Sequence, residues 1–163
     1  MPSMPFPYCH FKQRWRHLRG EPNTLTVSTD ATNNPFPFPS ELNKISEAVI
    51  GAAIEVHKYL GPGLLESVYE ICLIEELEQR GLKVQQQVRL PLYYKGQLTK
   101  KFFVIDLLIE NEIILELKAE DKMLPIHESQ LMTYLKLTQK DLGLLINFNV
   151  PRLVDGIKRR LNG

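Results

Sequence analysis

The chain has 163 residues, 44% hydrophobic and 24% charged, the make-up of one ordinary globular domain with a sizeable core. No run approaches the ~20 apolar residues that a membrane span requires, and the N-terminus lacks the apolar segment of a secretory signal, so neither a membrane partner nor export is expected. Net charge is +1, and from Glu41 onward 16 Lys and Arg face 17 Asp and Glu. The strongly basic body common among nucleic-acid binders is therefore absent, although a bound cation would offset site carboxylates locally. The two cysteines, Cys9 and Cys72, form neither a disulfide framework nor a Cys-rich metal cluster. Cys72 reads as a buried free thiol in a helix, and a reducing cytoplasmic location fits.

Residues 1–40 read as a disordered, Pro-rich, basic tail. Seven prolines break regular structure there, and Lys12, Arg14, Arg16 and Arg19 outnumber Glu21 and Asp30. Residues 41–163 read as the folded domain. Ser40 suits a helix N-cap. Ile45, Val49, Ala52, Val56 and Leu60 recur at helical spacing, predicting a helix over 41–59 that Gly61-Pro62-Gly63 stops. A second helix is predicted from Leu64 to Arg80, with Gly81 just past its end.

The period then changes to two. Val84, Gln86, Val88 and Leu90 alternate as in a strand, Lys95-Gly96 marks a turn, and Leu98–Ile109 and Ile113–Ala119 are two further strands. Pro125 opens a helix to Thr138, Gly143–Phe148 is a fourth strand, and Pro151 opens a last helix through Leu161. The predicted order is α-α-β-β-β-α-β-α, an α/β chain with a mixed sheet.

The chemistry concentrates in the middle strands. Phe102 to Ile109 and Ile113 to Lys118 are apolar at odd and even positions alike, the pattern of strands covered on both faces. Asp106 and Glu116 are then carboxylates in an interior, where an unpaired charge costs several kcal/mol. Glu116 and Lys118 share a strand face. With a two-residue loop, Asp106 would sit opposite Leu115 and Glu116 would face away. A three-residue loop of Glu110 to Glu112, or an equivalent bulge, sets Asp106 opposite Glu116, and this register is predicted. Two carboxylates so close repel unless a divalent cation lies between them. Hard oxygen ligands point to Mg²⁺ or Mn²⁺. A cross-strand salt bridge of Lys118 with either acid is the structural alternative.

Asp106 followed by Glu116-x-Lys118 on the next strand resembles the signature of the PD-(D/E)XK nuclease superfamily. Gly63-Leu64-Leu65-Glu66-Ser67-Val68-Tyr69 is similar to the motif for which the GxxExxY family is named, and Gln130-x-x-x-Tyr134 resembles the QxxxY motif of RecB-type nucleases. The likeness runs from about Leu42 to Gly163 and includes the stretches EVHKYLGPGLLESVYE and LLINFNVP. It departs at Val104, where such proteins often carry a basic residue.

The resemblance implies a restriction-endonuclease-like core and a metal-dependent nuclease that hydrolyses phosphodiester bonds, with nucleic acid, DNA before RNA, as partner. Asp106, Glu116 and the backbone carbonyl of Leu117 would hold Mg²⁺ or Mn²⁺, and Lys118 would orient or help deprotonate the attacking water. Glu66 would be a further ligand or stand behind the ligands, or else a solvated helix charge. Tyr69, Gln130 and Tyr134 would support the site, or else simply pack. His57 reads as a cation at a helix C-terminus, His127 as a cleft-mouth residue on the face of Gln130 and Tyr134, and Lys158-Arg159-Arg160 as a solvated helix end. The competing functional reading is a catalytically weak or inactive nuclease-fold module that binds nucleic acid or a protein partner. A homodimer or larger complex is compatible with either reading.

Overall fold

The computed structural model describes residues 40–163, with side chains from Glu41 onward. The expected tail over 1–40, including Cys9, lies outside the described residues apart from Ser40, where the first helix begins. Helix α1 (Ser40–Leu60) buries Leu42, Val49, Ala52, Ala53 and Val56 along one stripe. Helix α2 (Glu66–Gln79) starts two residues later than its periodicity predicts, because Leu65 is extended at φ −67°, ψ 145°. It buries Tyr69, Leu73 and Leu77, successive positions four apart.

The strands are β1 (Val84–Tyr94), β2 (Gln97–Ile109), β3 (Ile113–Lys118), β4 (Leu142–Asn147) and β5 (Ile157–Leu161), and helix α3 (Pro125–Thr138) lies between β3 and β4. They form a single sheet in the order β1-β2-β3-β4-β5. Only β3 and β4 are parallel, because α3 carries the chain from the end of one to the start of the other. Helices α1 and α2 cover one face, against Leu107, Ile109, Leu115, Leu117, Leu144 and Ile146. Helix α3 covers the other, where Leu131, Tyr134 and Leu135 meet Ile105, Leu108, Ile114 and Leu145. Covering on both sides explains why Ile113 to Leu117 are all buried. The central α-β-β-β-α-β order is that of a restriction-endonuclease-like core. No helix among the described residues is long and apolar enough to cross a membrane.

The final element departs from expectation. Instead of a helix through Leu161, residues Leu153–Gly156 make one 3₁₀ turn and Ile157–Leu161 form edge strand β5, antiparallel to β4. Two features decide this. A Cβ on Gly156 would lie 2.3 Å from the Asn147 carbonyl oxygen, so glycine lets the chain fold back tightly onto the end of β4. The side chains of β5 then alternate. Ile157 and Leu161 pack on the α1–α2 side and Arg159 reaches Asn43 of α1 at 2.7 Å. Lys158 and Arg160 turn the other way and both bond Glu128 of α3. Lys158-Arg159-Arg160 is thus a strand that ties two helices to the sheet edge, not a solvated helix end. Ile157 and Leu161 are four apart, a spacing that fits one helix face as well as one strand face.

One smaller expectation also changes. Cys72 is only partly buried at the rim of the core, and burial pushes its thiol pKa up, with a smaller push from Glu75. His57 lies in the last turn of α1, and it is also buried, with its Nε2 2.8 Å from the Val150 carbonyl.

Candidate active site

Strands β2 and β3 pair at Leu107↔Leu115, Leu108↔Ile114 and Ile109↔Ile113, leaving Glu110, Asn111 and Glu112 as a three-residue loop. Glu110 and Asn111 both have positive φ, 52° and 56°, and the Glu112 N–H closes the turn on the Ile109 carbonyl at 2.9 Å. Continued by one step, this register sets Asp106 across from Glu116.

Asp106 also marks a change of face. Leu107 and Ile109 pack toward α1 and α2, yet Phe103 and Ile105, which would share their side in a regular strand, pack toward α3. The partner strand does the same around Gln87, whose φ is +52°: Val84 faces α1 and α2, while Val88 and Leu90 face α3. The ladder between β1 and β2 is interrupted at this point, between Gln86↔Leu107 and Val88↔Ile105. A carboxylate sits where both strands rotate.

The peptide of Leu117 is the centre of the arrangement. Its N–H donates to Asp106 Oδ2 at 2.8 Å, and its carbonyl accepts from Lys118 Nζ at 2.7 Å. The same ammonium lies 4.0 Å from Glu116 Oε2. Glu116 is 2% exposed, and its Oε1 is buried with no hydrogen-bond partner. Burial, then the neighbouring Asp106 charge, push the Glu116 pKa up to about 8 against the pull of Lys118. Asp106 is raised by burial against the Leu117 N–H and Lys118.

Glu66 joins this group from the first turn of α2. Its pKa is raised by burial, opposed by Lys118, and raised further by Asp106, Glu120 and Glu70. The loop before α2 presents it. Gly63 takes φ +93°, a conformation L side chains rarely adopt. The Tyr69 hydroxyl donates to the Gly61 carbonyl at 2.7 Å and accepts the Leu64 N–H at 3.1 Å. The Tyr69 ring stacks on Phe148 with centroids 4.5 Å apart. In the Gly-x-x-Glu-x-x-Tyr stretch, therefore, Gly63 turns the chain, Tyr69 pins it, and Glu66 is the side chain held toward the carboxylates.

Helix α3 closes the other side. Gln130 Nε2 donates to the Tyr134 hydroxyl at 2.7 Å. The Tyr134 pKa is raised by burial, countered by the Gln130 bond, and raised again by Glu116 and Asp106. The phenol thus lies within the field of both acids, and Gln130 is paired with it. His127 is spent on the helix start, its Nδ1 accepting the Leu124 N–H at 3.3 Å and its Nε2 lying 3.5 Å from Glu120.

Two contributors escaped the sequence reading. Glu120, just past β3, adds negative charge beside Glu66. Asn147, paired with Lys118 in the parallel ladder, donates from Nδ2 to the Glu120 carbonyl at 2.8 Å and accepts the Glu120 N–H at 3.1 Å. It fixes the backbone directly after Lys118. Its signal was a lone polar residue inside the apolar strand predicted over Gly143–Phe148.

Among the described residues, no three His, Cys, Asp or Glu side chains stand close enough to form a ready metal cage. The donor set nevertheless fits a hard cation. Asp106, Glu116 and the Leu117 carbonyl offer only oxygen, one Glu116 oxygen lacks a partner, and both acids hold protons more tightly than usual because burial disfavours their charged forms, with the Asp106 charge adding to the shift of Glu116. Lys118 supplies the positive charge on the Leu117 carbonyl.

The fold and this Asp, Glu-x-Lys constellation define a nuclease-type domain. The model of the PD-(D/E)XK nuclease superfamily matches residues 43–160, and the chain belongs to that superfamily. Its members are as a rule hydrolytic nucleases that use divalent metals, with nucleic acid as substrate. The match is to the superfamily and does not single out the GxxExxY family within it. A solved structure described as the crystal structure of SSO0001 is similar, with 23% sequence identity and a TM-score of 0.43, over 74% of this chain and 57% of that one. Among curated proteins, none matches.

Proposed function

We propose that the chain is a metal-dependent nuclease of the GxxExxY kind, hydrolysing phosphodiester bonds with Asp106, Glu116 and Lys118 as its reacting centre. The observation that carries this is the meeting of Asp106 and Lys118 on the Leu117 peptide, with Glu116 4.0 Å from the Lys118 ammonium and one of its buried oxygens without a hydrogen-bond partner. Asp106, Glu116 and the Leu117 carbonyl would hold Mg²⁺ or Mn²⁺, with Glu66 beside them. When bound, such a cation supplies Lewis acidity toward the scissile phosphate.

The chain's own groups do the rest. Lys118, released from the Leu117 carbonyl, orients the attacking water and donates hydrogen bonds to the charge that develops on phosphate. Tyr134, held by Gln130, offers a hydroxyl at the edge of the acids. Asn147 keeps the strand end rigid, so that the lysine acts from a fixed backbone.

The test is cleavage of end-labelled single- and double-stranded DNA and RNA by the purified chain in Mg²⁺ or Mn²⁺. Cleavage that drops at least ~100-fold in Lys118→Ala is expected. Binding without cleavage, unaltered by Asp106→Ala, would make the domain a nucleic-acid-binding module instead.

A further inference from the structure

The β1–β2 hairpin reaches past the rest of the sheet. Strand β3 pairs only with Leu107, Leu108 and Ile109 of β2. Outward from Asp106 the hairpin is a two-stranded arm, roughly 25 Å long at the usual rise per residue. One side is tied down: Val88 and Leu90 pack on the α3 cluster, and Phe103 meets Tyr134 with ring centroids 5.7 Å apart. The rest is open, with Tyr93 61%, Tyr94 66% and Phe102 47% exposed.

Charge on this arm is one-sided. Residues 84–105 include Arg89, Lys95, Lys100 and Lys101 and no Asp or Glu, so the remainder of the domain is net acidic. Among the described residues no ion pair engages any of these four cations. Two of them lie against rings instead, Arg89 over Phe102 at 4.6 Å and Lys95 over Tyr94 at 5.5 Å. A bulge exposes the other two. Between Pro91↔Phe102 and Tyr93↔Leu98 the register shifts, so that Leu92 opposes Thr99, Lys100 and Lys101. Thr99 Oγ1 holds the bulge by accepting the Lys101 N–H at 3.2 Å and donating to its carbonyl at 3.1 Å.

A merely solvated ribbon explains the lysines but not the exposed rings interleaved with them. Unpaired cations alternating with aromatic faces are what a strand of phosphates and unstacked bases requires. A duplex would use the cations but leave the rings without partners. We propose that this arm is the docking surface for single-stranded nucleic acid. Lys100, Lys101 and Arg89 bind phosphates, and Tyr93, Tyr94 and Phe102 stack on bases. The arm's base is Asp106, so a strand lying along it is delivered to the carboxylates. This deepens the nuclease reading and rests on it for the fate of the bound strand.

The test is fluorescence anisotropy with the full chain in EDTA and a fluorescein-labelled oligo(dT) of ~20 nucleotides, long enough to span the arm. The wild type is expected to bind without divalent ion. Lys100→Ala/Lys101→Ala should weaken binding about tenfold and lower the slope of log K against log salt by about 1.4. Tyr93→Ala/Tyr94→Ala should weaken binding about tenfold with the slope kept. Unchanged thermal unfolding of both variants controls for folding. No binding by the wild type, unaltered affinity in both variants, or stronger competition by duplex than by single strand would overturn the arm. Cleavage in Mg²⁺ is scored separately. A chain that binds through the arm yet never cuts refutes the nuclease reading alone, and one that cuts normally without Lys100 and Lys101 refutes the arm alone.

Discussion

Replacing Glu116 with Gln should remove a pH dependence of stability that the wild type carries when divalent ions are chelated. The Glu116 pKa is raised from 4.5 to about 8 in the folded chain, by burial first and the Asp106 charge second. The sign follows from proton counting. Between pH 4.5 and about 8 the folded state keeps a proton that the unfolded state has lost, so stability falls as pH rises through that window. The slope is at most about 1.4 kcal/mol per pH unit. From pH 6 to pH 8 the loss is then roughly 2 kcal/mol, or about 8 °C in Tm for a domain this size. Glutamine mimics the protonated acid and should show no such loss, so Glu116→Gln should match the wild type at pH 6 and exceed it by that amount at pH 8. Circular-dichroism melts in EDTA at the two pH values measure this, and titrating groups outside the site cancel between the two proteins. If the wild type loses no more Tm than the variant, Glu116 is not a buried acid short of positive charge, and the electrostatic case for a cation falls with it. Mg²⁺ should restore the wild type at pH 8 and leave the variant little changed, because ligand binding stabilises by RT ln(1 + [L]/Kd).

Lys118→Met should bind Mg²⁺ more tightly by calorimetry, about tenfold for ~1.4 kcal/mol of removed competition, because the ammonium on the Leu117 carbonyl no longer opposes a second cation; weaker binding would mean the lysine helps to hold the ion. Tyr69→Phe should cost about 1–2 kcal/mol in urea unfolding, since the Leu64 N–H and the Gly61 carbonyl lose one shared partner; an unchanged midpoint would mean that the loop before α2 is held by packing alone.

The middle of the fold was legible because burial on both faces leaves a mark that helices and half-buried strands do not. In β3 only Glu116 and Lys118 interrupt Ile113-Ile114-Leu115-x-Leu117, and the β2–β3 loop length decided the register that brings Asp106 to them. The C-terminal strand was not legible for a definite reason. Its identity depends on Gly156 pressing against the end of β4 and on Glu128, about thirty residues earlier, receiving Lys158 and Arg160. Neither partner is visible from local periodicity, and Pro151 imitated a helix start.

The site shows the same division between local and distant causes. Glu66 and Tyr69 lie three residues apart on one helix, and spacing alone suggests a shared role. The structure separates them: Tyr69 points back into the core beneath Phe148, where its hydroxyl satisfies the loop, while Glu66 feels the charges of Asp106 and Lys118 across the sheet. Asp106 reads in sequence as one acid in an apolar strand, yet it occupies the point where β1 and β2 exchange faces. That rotation frees its carboxylate from either core and turns it to the Leu117 N–H. The same rotation starts the arm, because beyond it the hairpin packs toward α3 on one side and is open on the other. The backbone irregularity that creates the acid's position therefore also sets the direction from which a strand would reach it.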